Sequence, residues 1–199
     1  TPTLNAWNHI ALVFTGSAYV VYLNGTSVGS VSSSTAVRND TFTYFTIGNK
    51  QQQGFYSIDG YIDSVRVSKV ARYSSGFTPS GSAFVSDGDT LSLIDFENGL
   101  TDAINGVTWA SPSRGCAVIA PTAKFGSSMV EVNSYSFPRM WVGNVNYVAA
   151  PTWTVEFFLM TVNIGNDTNS LYNPTIESKN GLLRLTLLSP SLLPNLYVN

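Results

Sequence analysis

Apolar and polar positions alternate along this chain in short runs separated by Gly, Pro, Asn and Ser. Residues 7–14, Trp-Asn-His-Ile-Ala-Leu-Val-Phe, form an apolar run too short for a helix and rich in strand formers. Thr15-Gly16-Ser17-Ala18 supplies a turn, and residues 19–23, Tyr-Val-Val-Tyr-Leu, form a second run. Asn24-Gly25 follows, the pair that accepts the positive φ of a type I′ hairpin. A third strand over about 27–33 completes a three-stranded meander. The same pattern predicts strands near 42–47, 61–68, 91–97, 107–110, 129–133, 153–161, 175–178, 182–188 and 195–198. A single helical turn is predicted around 69–73. Many short strands with almost no helix specify an all-β antiparallel sandwich or barrel. Over residues 74–90 the alternation stops and the chain becomes rich in Ser, Gly and Pro, a linker composition. That places a boundary near residue 85 and divides the chain into 1–84 and 85–199.

Composition narrows the class. Only 11% of the 199 residues are charged, against about 25% in an ordinary globular domain. Aromatic residues make up 13%, enough for a core and unlike a disordered chain. The net charge of −2 offers no basic stripe for nucleic acid. No apolar stretch approaches the roughly 18 residues of a membrane-spanning helix, so no membrane insertion is expected. The start, Thr1-Pro2-Thr3-Leu4, carries neither Met nor a signal peptide, which reads as a processed chain or a fragment. With one Cys (Cys116) and one His (His9), neither an intrachain disulfide nor a Cys/His zinc site is available.

Several segments resemble a known family. Trp7-Asn8-His9-Ile10-Ala11-Leu12-Val13 and Tyr22-Leu23-Asn24-Gly25-Thr26-Ser27-Val28-Gly29 resemble the central hairpin of laminin-G-like domains, members of the concanavalin A-like jelly-roll superfamily. Gly60-Tyr61-Ile62-Asp63-Ser64-Val65-Arg66-Val67, with Ala71-Arg72-Tyr73 and Phe77-Thr78-Pro79, resembles that domain's closing strand and tail. Its opening strand is resembled by Leu91-Ser92-Leu93-Ile94-Asp95-Phe96-Glu97-Asn98-Gly99, and its next landmarks by Lys124-Phe125-Gly126-Ser127-Ser128 and Trp153-Thr154-Val155-Glu156-Phe157-Phe158. The resemblance therefore runs back half first, front half second. It implies a concanavalin A-like jelly-roll β-sandwich, either cut from a tandem array, with 1–84 closing one domain and 85–199 opening the next, or permuted into one unit. The linker-like 74–90 stretch favours the array. Chains in this style resemble structural proteins of tailed, especially marine, bacteriophages. That likeness implies a virion or extracellular surface, with other copies or other appendage proteins and cell-surface glycans as partners.

Candidate chemistry is sparse. Glucanases of the superfamily place Glu, Asp and Glu on alternating positions of one strand. The four glutamates here, Glu97, Glu131, Glu156 and Glu177, stand alone in different segments, and no Gly-x-Ser-x-Gly elbow accompanies His9. The expectation is a non-enzymatic structural and adhesive module, with a secreted bacterial carbohydrate-binding domain and a glycoside hydrolase as alternatives. Asp63 and Asp95 fall on apolar faces by strand alternation, Asp63 with Tyr61, Val65 and Val67, so each must be paired or hold a cation. No cofactor is otherwise implied. The functional reading of the two is a calcium site, with Asn98 or Asp102 as further oxygen ligands; the bland one is a hydrogen-bonded carboxylate. Tyr135, Phe137, Trp141 and Tyr147 lie beside Asn144 and Asn146, a mix suited to stacking on a sugar ring and equally to packing a loop. From this segment Tyr135, Trp141, Asn144 and Tyr147 are the candidate ligand-binding residues.

Overall fold

The computed structural model describes residues 2–34, 44–47, 60–110, 116–119, 123–132, 140–143, 150–162, 175–178, 183–187 and 194–198. The described residues hold thirteen strands and no helix. In chain order they are β1 (Trp7–Phe14), β2 (Ala18–Leu23), β3 (Thr26–Ser32), β4 (Tyr44–Ile47), β5 (Gly60–Ser68), β6 (Thr90–Ile94) and β7 (Cys116–Ile119). There follow β8 (Met129–Val132), β9 (Met140–Gly143), β10 (Trp153–Thr161), β11 (Thr175–Ser178), β12 (Leu183–Leu187) and β13 (Pro194–Val198). One sheet of eight strands runs β3-β2-β1-β10-β5-β8-β7, with β6 also paired to β5. The other, of five, runs β13-β12-β11-β4-β9. All strand pairings are antiparallel.

The first hairpin forms as its sequence dictates. Asn24 and Gly25 take φ of 50° and 80°, the left-handed values of a type I′ turn. Asn24 also braces the strand beside it: its Oδ1 accepts from His9 N at 2.8 Å, and its Nδ2 donates to Asn8 Oδ1 at 3.0 Å.

Strand alternation sorts β1 into two faces. Ile10, Leu12 and Phe14 enter the main core with Tyr19, Val21, Val65, Val67, Trp153, Val155 and Phe157. Ile47 of β4 joins the same cluster, so the five-stranded sheet closes over this side as the second layer of a sandwich. The opposite face of β1 carries His9, Ala11 and Val13, and these are buried too. Their cover is the 69–89 segment, a strap crossing the outer face of the sheet. Ala71, Tyr73 and Phe77 pack on Ala11, Val13 and Tyr22, and Phe84 packs with Leu93 and Phe158.

Several features differ from the expectations. The stretch expected as a linker, 74–90, is packed down by Phe77 and Phe84. Strands from 1–84 and 85–199 alternate in both sheets: β10 lies between β1 and β5, and β4 lies between β11 and β9. The two segments thus build one sandwich together. The helical turn at 69–73 is absent, because Thr154 Oγ1 takes the backbone groups a helix would use: it donates to Val70 O at 2.8 Å and accepts from Arg72 N at 2.9 Å. The 107–110 strand is reduced to single bridge residues, Thr108 (paired with Thr101) and Ala110, while β7 and β9 were not expected.

Candidate functional site

Four ionisable residues, His9, Arg66, Tyr73 and Glu156, meet on the outer face of the eight-stranded sheet, beneath the strap. Glu156, at mid-β10, is fully buried. Its Oε1 accepts from Arg66 on β5, at 2.9 Å from Nε and 2.7 Å from the terminal nitrogen. Its Oε2 accepts from His9 Nε2 on β1 at 3.0 Å and from the Tyr73 hydroxyl of the strap at 2.7 Å. Burial pushes the Glu156 carboxyl up, but the His9 hydrogen bond, the Arg66 charge and the Tyr73 hydroxyl outweigh it and hold the group below its ordinary value. Tyr73 is pushed up, first by burial and then by the Glu156 charge. Because an ionised carboxylate only accepts, His9 Nε2 carries the proton, and Nδ1 is left buried without a partner.

Aromatic rings close the rest of the pocket. The His9 ring lies 5.1 Å from Phe158, 5.5 Å from Phe77, 5.9 Å from Phe84 and 6.3 Å from Tyr73, centroid to centroid. Arg66 stacks its guanidinium 4.5 Å above Phe84. A clamp between Arg72 and Asp87, with contacts of 2.9 and 2.7 Å, pins the strap, and holds the Asp87 carboxyl well below the usual range. A His–Glu pair of this kind can orient a proton. Here the imidazole is 1% exposed and ringed by aromatic side chains, so no substrate reaches it while the strap is down.

Asp63 is buried, though not on the face expected. Phe158 pairs with Asp63 and Glu156 with Arg66, so Ser64 and Val65 together oppose Phe157. This is a β-bulge with Ser64 at a φ of 53°. The extra residue breaks the alternation: Ile62 and Val65 both enter the main core, and Asp63 turns to the outer face beside Phe158. Its Oδ2 accepts from Phe125 N at 2.9 Å, whereas Oδ1 is buried with no donor. Burial raises its pKa from the ordinary 3.8 to about 6, with the Glu97 charge adding to the rise against the backbone donors.

Asp95 is half-buried and caps its own turn, its Oδ1 accepting from Glu97 N at 3.1 Å. Glu97 clasps the 126–128 loop, accepting from Ser127 N and Ser128 N, both at 2.8 Å, and from the Ser127 hydroxyl, which together hold its carboxyl below the ordinary value. Asp102 is a buried turn carboxylate that accepts from Leu93 N and Ile104 N at 3.2 and 2.8 Å. Among the described residues, no three His, Cys, Asp or Glu side chains converge as metal ligands. The one feature that suits a cation at Asp63 is its unpartnered Oδ1.

The aromatic segment is seen only in part. Trp141 lies in β9, paired with Thr46, and β9 is one of the two end strands described in the five-stranded sheet. Tyr135, Asn144 and Tyr147 lie outside the described residues.

Residues 1–75 match a laminin G family model described as the Concanavalin A-like lectin/glucanases superfamily. The match ends inside the strap, so it spans β1 to β5 and Tyr73. No curated protein and no solved structure matches the chain.

Proposed function

We propose that this chain is a non-enzymatic adhesive and structural module whose ligands are cell-surface glycans, displayed on an extracellular appendage or a virion. The observation that carries the reading is the state of the ionisable groups. Glu156, Glu97, Asp102 and Asp87 all hold donors of the chain itself, and His9 lies under the strap. What the fold spends on packing is unavailable for acid–base work. The concanavalin A-like match of residues 1–75 is compatible with a carbohydrate-binding or adhesion module. The 135–147 stretch is rich in amides and aromatics, the residue types that stack on and hydrogen-bond a sugar ring, and its Trp141 belongs to β9, at one end of the five-stranded sheet.

A glycan array probed with the whole chain tests the reading. Binding to at least one glycan class is expected, and Trp141→Ala should abolish it without moving the melting temperature. An array with no signal would leave assembly as the module's role. Turnover of a β-glucan would overturn the non-enzymatic reading.

A further inference from the structure

The interleaving of strands makes the 1–84 segment an acceptor with a slot. In the eight-stranded sheet β1 and β5 do not pair with each other; β10 fills the space and pairs with both along nearly its whole length. Every described residue of β10 except Met160 is buried. The five-stranded sheet repeats the arrangement with β4, which stands between two strands of the later segment. The slot is keyed by charge. Glu156 of β10 meets Arg66 of β5, His9 of β1 and Tyr73 of the strap, all three from the acceptor segment.

One covalent crossing joins acceptor to donor. Phe77 is tied to the acceptor, its N–H donating to Gly25 O at 3.0 Å. Phe84, which follows the crossing and so moves with the donor, is seated with Leu93 and Phe158 of the donor segment and meets His9 and Arg66 of the acceptor. Between them Ser80, Gly81 and Ser82 are exposed, and Gly81 has open space where a Cβ would stand. None of the contacts that seat β10 depends on this crossing running within one chain.

We propose that two copies of this chain exchange their donor segments through a hinge at residues 80–82, so that β10 and its Glu156 from one copy complete the slot of the other. The exchange keeps every contact of the closed form and changes the hinge alone, which is the general condition for domain swapping. Closure within one chain has an effective concentration on the order of mM, so exchange belongs to crowded arrays or to copies that fold side by side. The proposal concerns assembly and stands apart from any glycan the surface binds.

Two full-length variants test it. Glu156→Arg sets two cations facing in its own slot, and Arg66→Glu sets two anions facing in its own. When the two are unfolded together and refolded at equal concentration, reciprocal exchange pairs opposite charges in both slots. The expected product is a 1:1 species of twice the chain mass by light scattering, with one cooperative melt, absent when either variant refolds alone. A chain carrying both substitutions should refold as a monomer, showing that the reversed pair fits the slot. A mixture that gives no new species while the double variant folds would overturn the proposal. Should the double variant fail to fold, wild-type chains labelled with donor or acceptor dyes and co-refolded near mM concentration decide it. Energy transfer within a dimer supports exchange, and a purely monomeric product overturns it.

Discussion

Glu156 shows what a charge inside a sheet demands. Its carboxylate sits among aromatic rings and is tolerable only because Arg66, His9 and Tyr73 together satisfy it. Removing one partner of such a pair leaves the other stranded, so Glu156→Gln should cost about 3 kcal/mol or more in urea unfolding. Replacing both ends, Arg66→Met with Glu156→Met, should cost less than the two single changes summed, since neither charge is then orphaned. Asp63 poses the opposite case. Its folded pKa of about 6 stands above the ordinary 3.8, so the folded state keeps a proton that the unfolded chain releases. Stability from this group is fully present below the unfolded value and is lost as the pH rises through about 6. Between pH 6 and pH 5 the melting free energy should therefore rise by about 1 kcal/mol, and Asp63→Asn should flatten that rise. Further acidification reverses the trend, because Glu156, whose folded pKa lies below its ordinary 4.5, gives its stability above that value and loses it as pH falls. A melting temperature that instead moves with calcium or chelator, and stops doing so in Asp63→Asn, would mean that the unpartnered Oδ1 binds a cation.

At the scale of elements, the first hairpin and the strap act as one unit. Gly25 holds a φ of 80°, and a Cβ there would lie 1.7 Å from Phe77 O. Gly25→Ala should thus lift the strap as well as strain the turn, at a cost of about 2 kcal/mol or more. Gly29→Ala, which meets nothing within 4 Å, should be nearly silent. Limited proteolysis near 74–82 checks the difference, accelerating in the first variant alone. Much of this was legible beforehand. The type I′ turn, the β1–β2–β3 meander, β5 and β10 follow from period-2 patterning and Asn24-Gly25. The strap was not, because Ser, Gly and Pro dominate its composition while its seating depends on a few spaced rings, Tyr73, Phe77 and Phe84. The face of Asp63 was hidden for a related reason: no glycine marks the bulge, since Ser64 itself takes the left-handed conformation. The Glu156 network draws on four segments far apart in sequence, and no local spacing announces it.

For the molecule as a whole, topology rather than any one contact decides what can stand alone. Residues 1–84 contribute β1 to β5, yet β10 separates β1 from β5 in one sheet and β4 has only later strands as neighbours in the other. Without residues 85–199, both flanks of the slot expose unpaired backbone groups, and Arg66 and His9 lose the carboxylate they converge on. The main core loses Ile94, Phe96, Trp109, Val130, Trp153, Val155, Phe157 and Leu159 in the same step. Residues that remain would face water across an uncovered sheet, and the entropy of ordering them would exceed what their burial returns. Expressed by itself, 1–84 should therefore show no cooperative thermal transition and no protected amides along β1 or β5 in hydrogen exchange. Added 85–199 should restore both, with protection appearing first where β10 pairs. A cooperatively melting monomer of 1–84 would mean that this segment closes its own sheet, and that the slot between β1 and β5 is not required for the fold.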